Sequence, residues 1–347
     1  IRRNGTPGIC RAMVGRCPLG DSNQHYSTLE EAREIANSQN ESLFGVHSDC
    51  ELLTYERKKK DREKYSSLEA NRRGEWIEDQ LTIAIENGQT SLDLHFDKEY
   101  NLWSTERRKL HDKIIDKLED KYKDVPTDGK VVFSGGITGA GKTTVLTEKL
   151  GLTSNDYATV SSDDFKELLA EEGAVPEVDG LLPMERTTLV HEESSQLADR
   201  FLSVMAAEKK NIIYDCTCKD FKSTKRRISN ILNNGYNNLD IQLVFVDIPI
   251  TVSHERAKNR YRNGLNAFSL GGRYCPPNVI NAQAPSKGSN FNTQNAETVL
   301  AISEDKDLSI QKPIIFENSG QQPIEIKFEK FKQMKGYISK PCKKMGA

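Results

Sequence analysis

The sequence predicts an α/β fold in which a doubly wound parallel sheet follows an N-terminal, mainly helical extension. An unbroken G-x-x-x-x-G-K-[ST] pattern at Gly136–Thr143 lies between a strand pattern and a helix pattern, which predicts a P-loop NTPase-like core. Strand and helix patterns then alternate, as they do in parallel sheets. Residues 1–125 are charged and mainly helical in pattern. We therefore expect an extension over 1–125 and a P-loop domain over 126–347.

Three helices are predicted in the extension. Ser27-Thr28-Leu29-Glu30 is a capping box that predicts a helix through Ala36. Apolar residues at helical spacing predict a second helix from about Leu68 to Glu86 and a third from Thr105 to Tyr122.

Short apolar strand patterns begin after residue 130, and helix patterns fill the intervals between them. The predicted strands are Val131–Phe133, Ala158–Val160, Asn211–Tyr214 and Gln242–Val246. The predicted helices are Thr143–Leu150, Phe165–Ala170, His191–Glu208 and Ser223–Asn233. Residues 281–312 are polar and weakly patterned, which predicts a loop-rich segment. Because parallel sheets bind ligands beyond the carboxyl ends of their strands, the site is expected at that edge.

Composition narrows the class of protein. The 347 residues include 49 basic and 51 acidic side chains, and the net charge of −2 gives no argument for a nucleic-acid partner. No apolar run is long enough to span a membrane, and no signal-peptide pattern opens the sequence, so we expect a cytoplasmic protein without a membrane partner. Seven cysteines suit a reducing compartment.

The cysteines leave two smaller questions. Cys10, Cys17 and His25 could be zinc ligands, with His47 or Cys50 as a fourth, but their irregular spacing favours buried thiols. A second group, Cys216-x-Cys218, lacks the two-residue gap of a redox pair and is expected to pack beneath the substrate site.

The glycine-rich pattern has a chemical purpose. Glycines let backbone N–H groups turn inward around a triphosphate, and the helix that follows presents further free N–H groups. Lys142 is expected to reach the β- and γ-phosphates, and the Thr143 hydroxyl to hold Mg²⁺. The cofactors predicted are ATP or GTP with Mg²⁺. The residues predicted to hold the nucleotide are Gly136, Thr138, Gly139, Ala140, Gly141, Lys142, Thr143 and Thr144.

From about residue 105 to residue 325, the chain resembles the zeta-toxin family of P-loop kinases. The matching stretches are Gly136–Thr143, Ser162–Lys166, His191–Ser195, Tyr214–Thr217, Glu255–Tyr261 and Gly271–Arg273. The resemblance implies a kinase that phosphorylates a hydroxyl of a nucleotide-linked metabolite. Known members act on UDP-N-acetylhexosamines, and one plant-pathogen effector branch phosphorylates NAD on its adenosine ribose. It also implies a small antitoxin or chaperone partner, and it allows delivery into a host cell as an effector.

Three residues are predicted to act in phosphoryl transfer beside Lys142. A carboxylate just past a strand, in the Asp163-Asp164 pair, could accept the proton of the attacking hydroxyl, while the other caps the next helix. The resemblance favours Asp163 as the base. It also implies that Arg260 and Arg273 contact the transferring phosphate, where guanidinium groups stabilise spreading negative charge. Arg256 and Arg262 are rivals on the same segment, and a surface ion pair is the alternative for any of these arginines.

A further group of polar side chains is predicted to bind the sugar hydroxyls of the metabolite. These residues are Asp164, His191, Ser194, Asp199, Asp215 and Thr217. Asp215 could instead be a magnesium ligand, because it follows an apolar strand as a Walker-B acid does. His191 could instead cap or pack at the start of its helix.

Two other classes of function compete with a kinase. A nucleotide-hydrolysing switch would need only water as acceptor, but the chain lacks the Asn-Lys-x-Asp signature that reads guanine. A non-catalytic nucleotide-binding protein would not need the complete set of Lys142, Thr143 and Asp163. Among acceptors, NAD is placed ahead of UDP-N-acetylhexosamines because the long extension departs from compact toxins and suits an effector-like protein.

Overall fold

The computed structural model describes residues 2–3, 10–11, 70–267 and 270–334, and the chain forms two compact units, 1–73 and 74–347. In the described part of the first unit, β1 (Arg2–Arg3) pairs antiparallel with β2 (Cys10–Arg11). The predicted helix from Ser27 to Ala36 lies outside the described residues. So do Cys17, His25, His47 and Cys50 of the zinc hypothesis, which stays untested.

The helices and strands predicted between residues 68 and 246 are present in the structure, and the first described helix begins at Ala70. The helices are α1 (Ala70–Glu86), α2 (Ser91–His95), α3 (Thr105–Tyr122), α4 (Lys142–Thr144), α5 (Ser162–Glu171), α6 (His191–Ala207), α7 (Phe221–Asn233), α8 (Ile250–Ala267), α9 (Pro277–Asn281), α10 (Gln294–Ser303) and α11 (Phe328–Gln333). The strands are β3 (Phe96–Asp97), β4 (Leu102–Trp103), β5 (Val131–Gly135), β6 (Ala158–Ser161), β7 (Ile212–Asp215), β8 (Ile241–Asp247), β9 (Ile314–Glu317) and β10 (Ile324–Ile326).

Six strands of the described chain form one sheet in the order β10-β9-β8-β5-β7-β6. Every neighbouring pair is parallel except β9 with β10, which confirms the predicted doubly wound parallel sheet. The phosphate-loop strand β5 lies in the centre, between β8 and β7. The chain leaves β5 for the edge strand β6 and later returns to the other side of β5, so the sheet has a switch point at the carboxyl end of β5.

Alternate residues of β5 enter different cores, as the period of a strand requires. Val131 and Phe133 join a large cluster formed with α3, α5, α6 and α7, whereas Val132 joins a smaller cluster on the opposite face, which includes Val145 and Leu146. All five residues of β5 are buried, so the loop that follows begins at the buried centre of the sheet.

The prediction that residues 281–312 are loop-rich is wrong in part, because this segment contains α10. Asn295, Thr298 and several apolar residues of α10 are buried against the sheet, and buried polar side chains hide the helical pattern from a hydropathy reading. Strands β9 and β10 were also missed.

The start of the kinase-like domain at residue 126 stays a prediction, although the second compact unit already begins at Gly74. Helix α3 contributes Ile114, Ile115 and Leu118 to the large core. Within the described ranges, no helix is both long and apolar enough to cross a membrane.

Candidate active site

The phosphate loop has the backbone conformation that its glycines predict. Gly136, Gly139 and Gly141 have φ values of 144°, 74° and 84°. A side chain at Gly136 would place a β-carbon 2.6 Å from the Val246 carbonyl oxygen of β8. The loop therefore needs glycine at Gly136 for both its dihedral angle and its space.

Lys142 lies at the start of α4 and faces back into the loop. Its Nζ donates to the Gly136 carbonyl at 3.0 Å and lies 3.6 Å from Oδ1 of Asp215. Thr143 and Thr144 follow on the exposed side of the same turn. The predicted helix over Thr143–Leu150 continues from α4 as a π-helical turn, Val145–Lys149.

A second layer of polar side chains fixes the outside of the loop. Arg256 donates from Nη1 to the Gly139 carbonyl at 3.2 Å and from Nη2 to the Asn318 carbonyl at 2.7 Å. Asn318 in turn donates to the Ala140 carbonyl at 2.7 Å, and Ser253 donates to the Thr138 carbonyl at 2.7 Å. Arg256 is therefore a brace of the loop rather than the rival of Arg260. Sequence reasoning missed Asn318, because the strand before it, β9, was not predicted. The signal that could have indicated it is the short apolar run of β9 followed by a Glu-Asn-Ser-Gly turn.

Asp163 stands at the carboxyl end of β6, in the first turn of α5. Its backbone N–H donates to Ser161 Oγ, the N-cap of that helix, at 3.2 Å. Its carboxylate contacts Lys166 Nζ and Arg273 Nη1, each at 3.2 Å. Although burial opposes ionisation, the charges of Lys166 and Arg273 hold the pKa of Asp163 well below its usual range. Asp163 is thus a carboxylate at neutral pH.

The adjacent Asp164 has a pKa shifted in the opposite direction. Partial burial and repulsion from Glu167 and Asp215 raise the pKa of Asp164 to about 6. Two successive carboxyl groups are therefore driven apart in pKa by their surroundings, a pattern that marks functional sites.

Asp215 ends β7 beside Lys142, at a place where a carboxylate could bind a magnesium ion. Oδ1 of Asp215 is buried and makes no hydrogen bond of normal geometry to a described residue. In the described part of the chain, no cluster of three or more His, Cys, Asp or Glu side chains could hold a metal alone. A P-loop magnesium site needs no such cluster, because one hydroxyl, one carboxylate, waters and phosphate oxygens complete it. Thr143 and Asp215 fit that requirement.

Arg273 reaches the cluster from a tightly packed loop. A β-carbon at Gly271 would press on Leu182, and one at Gly272 would collide with the Tyr261 carbonyl of α8. Arg273 lies 3.2 Å from Asp163 and 3.6 Å from Glu167, so it faces the cleft in this structure.

Arg260 belongs to the same charged group, although it comes from α8. Partial burial and the charge of Arg273 lower the pKa of Arg260, and Asp163 acts in the opposite direction. The structure therefore brings together Lys142, Asp163, Asp215, Arg260 and Arg273.

The extension also touches this loop. The residue after Arg273, Tyr274, donates its hydroxyl to Glu78 Oε1 of α1 at 2.7 Å and to the Gly74 carbonyl at 3.2 Å. Helix α1 therefore supports the segment that carries Arg273.

The remaining predicted substrate residues separate into two groups. His191 lies at the start of α6, where partial burial and the charge of Lys166 lower its pKa. The Thr217 carbonyl accepts from the Gly136 N–H at 3.3 Å, so Thr217 shapes the loop. Ser194 is fully buried and donates to the His191 carbonyl, whereas Asp199 pairs with two arginines of α7 at 2.6 and 2.7 Å. These contacts tie Ser194 and Asp199 to structure, and they give no support to a substrate role.

Asp247 ends β8 at the same edge of the sheet. It is 2% exposed, and its carboxylate accepts from Asn292 at 2.8 Å and Thr293 at 3.4 Å. Burial raises the pKa of Asp247 to about 6. Its hydrogen bonds anchor the segment before α10, so the carboxylate does not face the cleft.

Comparison with known proteins agrees with this geometry. A family model described as Zeta toxin matches residues 114–310, which is more than half of the chain. No curated protein sequence matches the chain.

Three solved structures similar to this chain belong to two-component complexes or systems. An AvrRxo1-ORF1:AvrRxo1-ORF2 complex with ATP contains a chain of 20% identity and TM-score 0.50, matched over 69% of this chain and 75% of that one. The same complex in native form gives 20% identity and TM-score 0.50 over 67% and 74%. The PezAT chromosomal toxin–antitoxin system of Streptococcus pneumoniae gives 13% identity and TM-score 0.44 over 62% and 80%. At these identities, the two AvrRxo1 complexes support the fold.

Proposed function

Because the chain belongs to the zeta-toxin family and is therefore a phosphotransferase, we propose that it transfers the γ-phosphate of ATP to a hydroxyl of a nucleotide-linked metabolite. The observation that carries this proposal is the cluster at the switch point of the sheet. There a phosphate loop, an ionised aspartate and two arginines meet within one cleft. GTP remains an alternative donor with the same triphosphate chemistry.

The loop residues bind the donor. Backbone N–H groups of Gly136–Thr143 surround the phosphates, and Lys142 exchanges its bond to the Gly136 carbonyl for the β- and γ-phosphate oxygens. Thr143 and Asp215 would hold Mg²⁺, which would supply positive charge to the phosphates of the nucleotide when it is bound.

The cleft residues act on the acceptor and on the transferring group. Asp163, held as a carboxylate by its cations, orients the acceptor hydroxyl and takes its proton as the bond to phosphorus forms. Arg260 and Arg273 stabilise the negative charge that spreads over the equatorial oxygens. His191 and Asp164 lie beside Asp163 and are proposed to contact the acceptor sugar.

We further propose NAD, phosphorylated on its adenosine ribose, as the acceptor. A nucleotide-linked metabolite carries its own diphosphate, and four cationic side chains at this cleft suit two polyphosphate ligands. These are Lys142, Lys166, Arg260 and Arg273. The tether from Tyr274 to α1 makes the extension part of the site, which departs from a compact toxin and favours NAD over UDP-N-acetylhexosamines.

Toxic activity of this kind needs restraint in the producing cell. The similar AvrRxo1 and PezAT structures concern complexes or toxin–antitoxin systems. We propose that this chain likewise acts as a toxin or effector and has a small antitoxin or chaperone partner.

Mass spectrometry of the acceptor tests the proposed substrate. The protein is incubated with ATP and Mg²⁺, and with NAD or UDP-N-acetylglucosamine in parallel. The expected result is NAD heavier by one phosphate, with the phosphate on the adenosine ribose by fragmentation. Phosphorylation of the UDP-sugar alone would replace NAD as the acceptor, and phosphorylation of neither would remove both.

A further inference from the structure

Two cysteines that the proposed mechanism does not use face each other beside the phosphate loop. Cys216 and Cys218 follow β7. Their one-residue spacing argued against a redox pair in the sequence, but the turn brings their sulfur atoms within 3.4 Å. Both are free thiols. The remaining cysteine of residues 70–334, Cys275, lies on another loop with its sulfur 3.7 Å from Thr138 Oγ1.

The two cysteine residues differ in exposure. Cys216 is half-buried, whereas Cys218 is only 2% exposed. Cys218 also has a left-handed φ of 55°, a conformation that residues with a β-carbon rarely adopt. The turn thus holds a partly exposed cysteine in sulfur contact with a shielded one, which is the arrangement of an attacking cysteine with its resolving partner.

The residues around this pair connect it directly to the nucleotide site. Thr217, between the two cysteines, accepts the Gly136 N–H at 3.3 Å and Asn295 Nδ2 at 2.6 Å through its carbonyl oxygen. Cys218 packs on the last residue of β5, since a β-carbon at Gly135 would lie 2.7 Å from its sulfur. A movement of residues 216–218 therefore moves the acceptor that holds the first N–H of the phosphate loop.

We propose that Cys216 and Cys218 form a reversible intramolecular disulfide that weakens ATP binding. With glutathione disulfide as the oxidant, the Cys216 sulfur attacks one glutathione sulfur, forms a mixed disulfide and releases one glutathione. The Cys218 sulfur then attacks the Cys216 sulfur, forms the Cys216–Cys218 bond and releases the second glutathione. Two protein thiols lose two electrons and two protons, and one glutathione disulfide becomes two glutathione thiols.

The expected effect follows from the geometry. A disulfide brings sulfurs to about 2.05 Å, so the two must approach by more than 1 Å from their 3.4 Å separation. Because Thr217 lies between the two cysteines, we expect that closure to displace its carbonyl from the Gly136 N–H. Loss of one such hydrogen bond corresponds to ATP binding weaker by roughly threefold to tenfold. The disulfide itself does not depend on the proposed function, whereas its effect on ATP does.

The experiment uses the full-length protein treated with glutathione disulfide. Peptide mass mapping should find a peptide lighter by two hydrogens that contains both Cys216 and Cys218. Titration with a fluorescent ATP analogue should show the weaker binding, and dithiothreitol should reverse both changes. Cys218→Ser should stop at Cys216 carrying one glutathione, and Cys275→Ser should behave as wild type.

Two outcomes overturn the proposal. Free thiols at Cys216 and Cys218 under conditions that oxidise Cys275 would show that the pair does not react. Formation of the disulfide with unchanged affinity for the ATP analogue would show that it does not control the loop. An unchanged far-ultraviolet circular dichroism spectrum is the control that separates weaker binding from unfolding. Failure of the reduced protein to bind the ATP analogue would contradict the proposed function. The peptide mass mapping would then still decide whether Cys216 and Cys218 form a disulfide.

Discussion

Replacing Glu193 with glutamine should destabilise the protein far more than a surface change would. Glu193 is fully buried in α6, and both of its carboxylate oxygens accept from Arg107 of α3, at 2.6 and 2.8 Å. Nε2 of His111 lies 2.6 Å from the same carboxylate. Glutamine removes the charge but keeps the shape, so Arg107 would stay buried without its counter-charge.

The pKa shift of Glu193 and the usual cost of breaking a buried ion pair predict a similar loss of stability. Burial alone would raise the pKa of Glu193, but hydrogen bonds from His111 and Arg107 outweigh it and lower the pKa from 4.5 to about 2. A shift of that size corresponds to roughly 3 kcal/mol between the folded and unfolded states. Removing one partner of a buried ion pair typically costs ~3–5 kcal/mol. We therefore expect Glu193→Gln to lower the free energy of unfolding by about 3 kcal/mol at pH 7.

The sign of the pH dependence follows from the same pKa. Since the folded pKa lies below the unfolded one, the stabilisation is fully present above pH 4.5 and is lost as the pH falls towards 2. Urea unfolding at pH 7 and at several acidic pH values measures it. Wild type and Glu193→Gln should converge as the pH falls, and the exposed neighbour Glu192→Gln is the matched control. A loss below about 1 kcal/mol at pH 7, or unfolding free energies that stay parallel in acid, would show that the Glu193 charge does not stabilise the fold in this way.

The residues of the proposed site give three further expectations. Asp163→Asn should lower kcat by about 10²–10⁴ with ATP affinity nearly unchanged, and a larger loss in Asp164→Asn would move the base by one residue. Arg260→Ala and Arg273→Ala should lower kcat more than they raise KM for the metabolite, with poor rescue by lysine, whereas a pure KM effect would reassign them to substrate binding. Gly136→Ala should abolish binding of a fluorescent ATP analogue, because its β-carbon would lie 2.6 Å from a β8 carbonyl, and unchanged affinity would contradict the loop geometry.

Much of this fold is readable from sequence because local patterns and tertiary packing agree in the core. Helix α3 has the predicted bounds, Thr105–Tyr122, since its apolar positions are the ones that pack on the sheet. The predicted strands, such as Val131–Phe133, are short and rich in β-branched residues, and most of their residues are buried. Such segments leave little choice of secondary structure.

The missed parts depend on contacts that no local pattern records. Asn295 of α10 is buried because its amide donates to the Thr217 carbonyl and to Gln283, so a polar residue occupies a core position. Asn318 and Arg256 act on the loop from segments more than a hundred residues distant in sequence. Their polar side chains are of types that usually lie at the surface, but in the folded chain they donate hydrogen bonds to backbone carbonyls in and beside the phosphate loop.

The same contrast between local motifs and distant contacts applies to the roles predicted for individual polar residues. Asp163 and Arg273 could be placed together because both follow recognisable motifs at the ligand edge. Asp199 carries the same chemistry as Asp163, but the arginines of α7 occupy its carboxylate. Partner side chains from other elements decide such cases, and these partners cannot be located from one sequence.

The most direct test of the central claim is the acceptor dependence of ATP consumption in wild type and in Lys142→Ala. The Lys142 side chain donates to the Gly136 carbonyl in the loop and belongs to none of the hydrophobic clusters, so the variant should remain folded by circular dichroism. We expect wild type to consume ATP only when NAD or another acceptor is present, with one phosphate transferred per ATP, and Lys142→Ala to consume none. ATP consumption by wild type at the same rate without any acceptor would identify a hydrolysing switch, and undiminished transfer by Lys142→Ala would contradict catalysis at this loop.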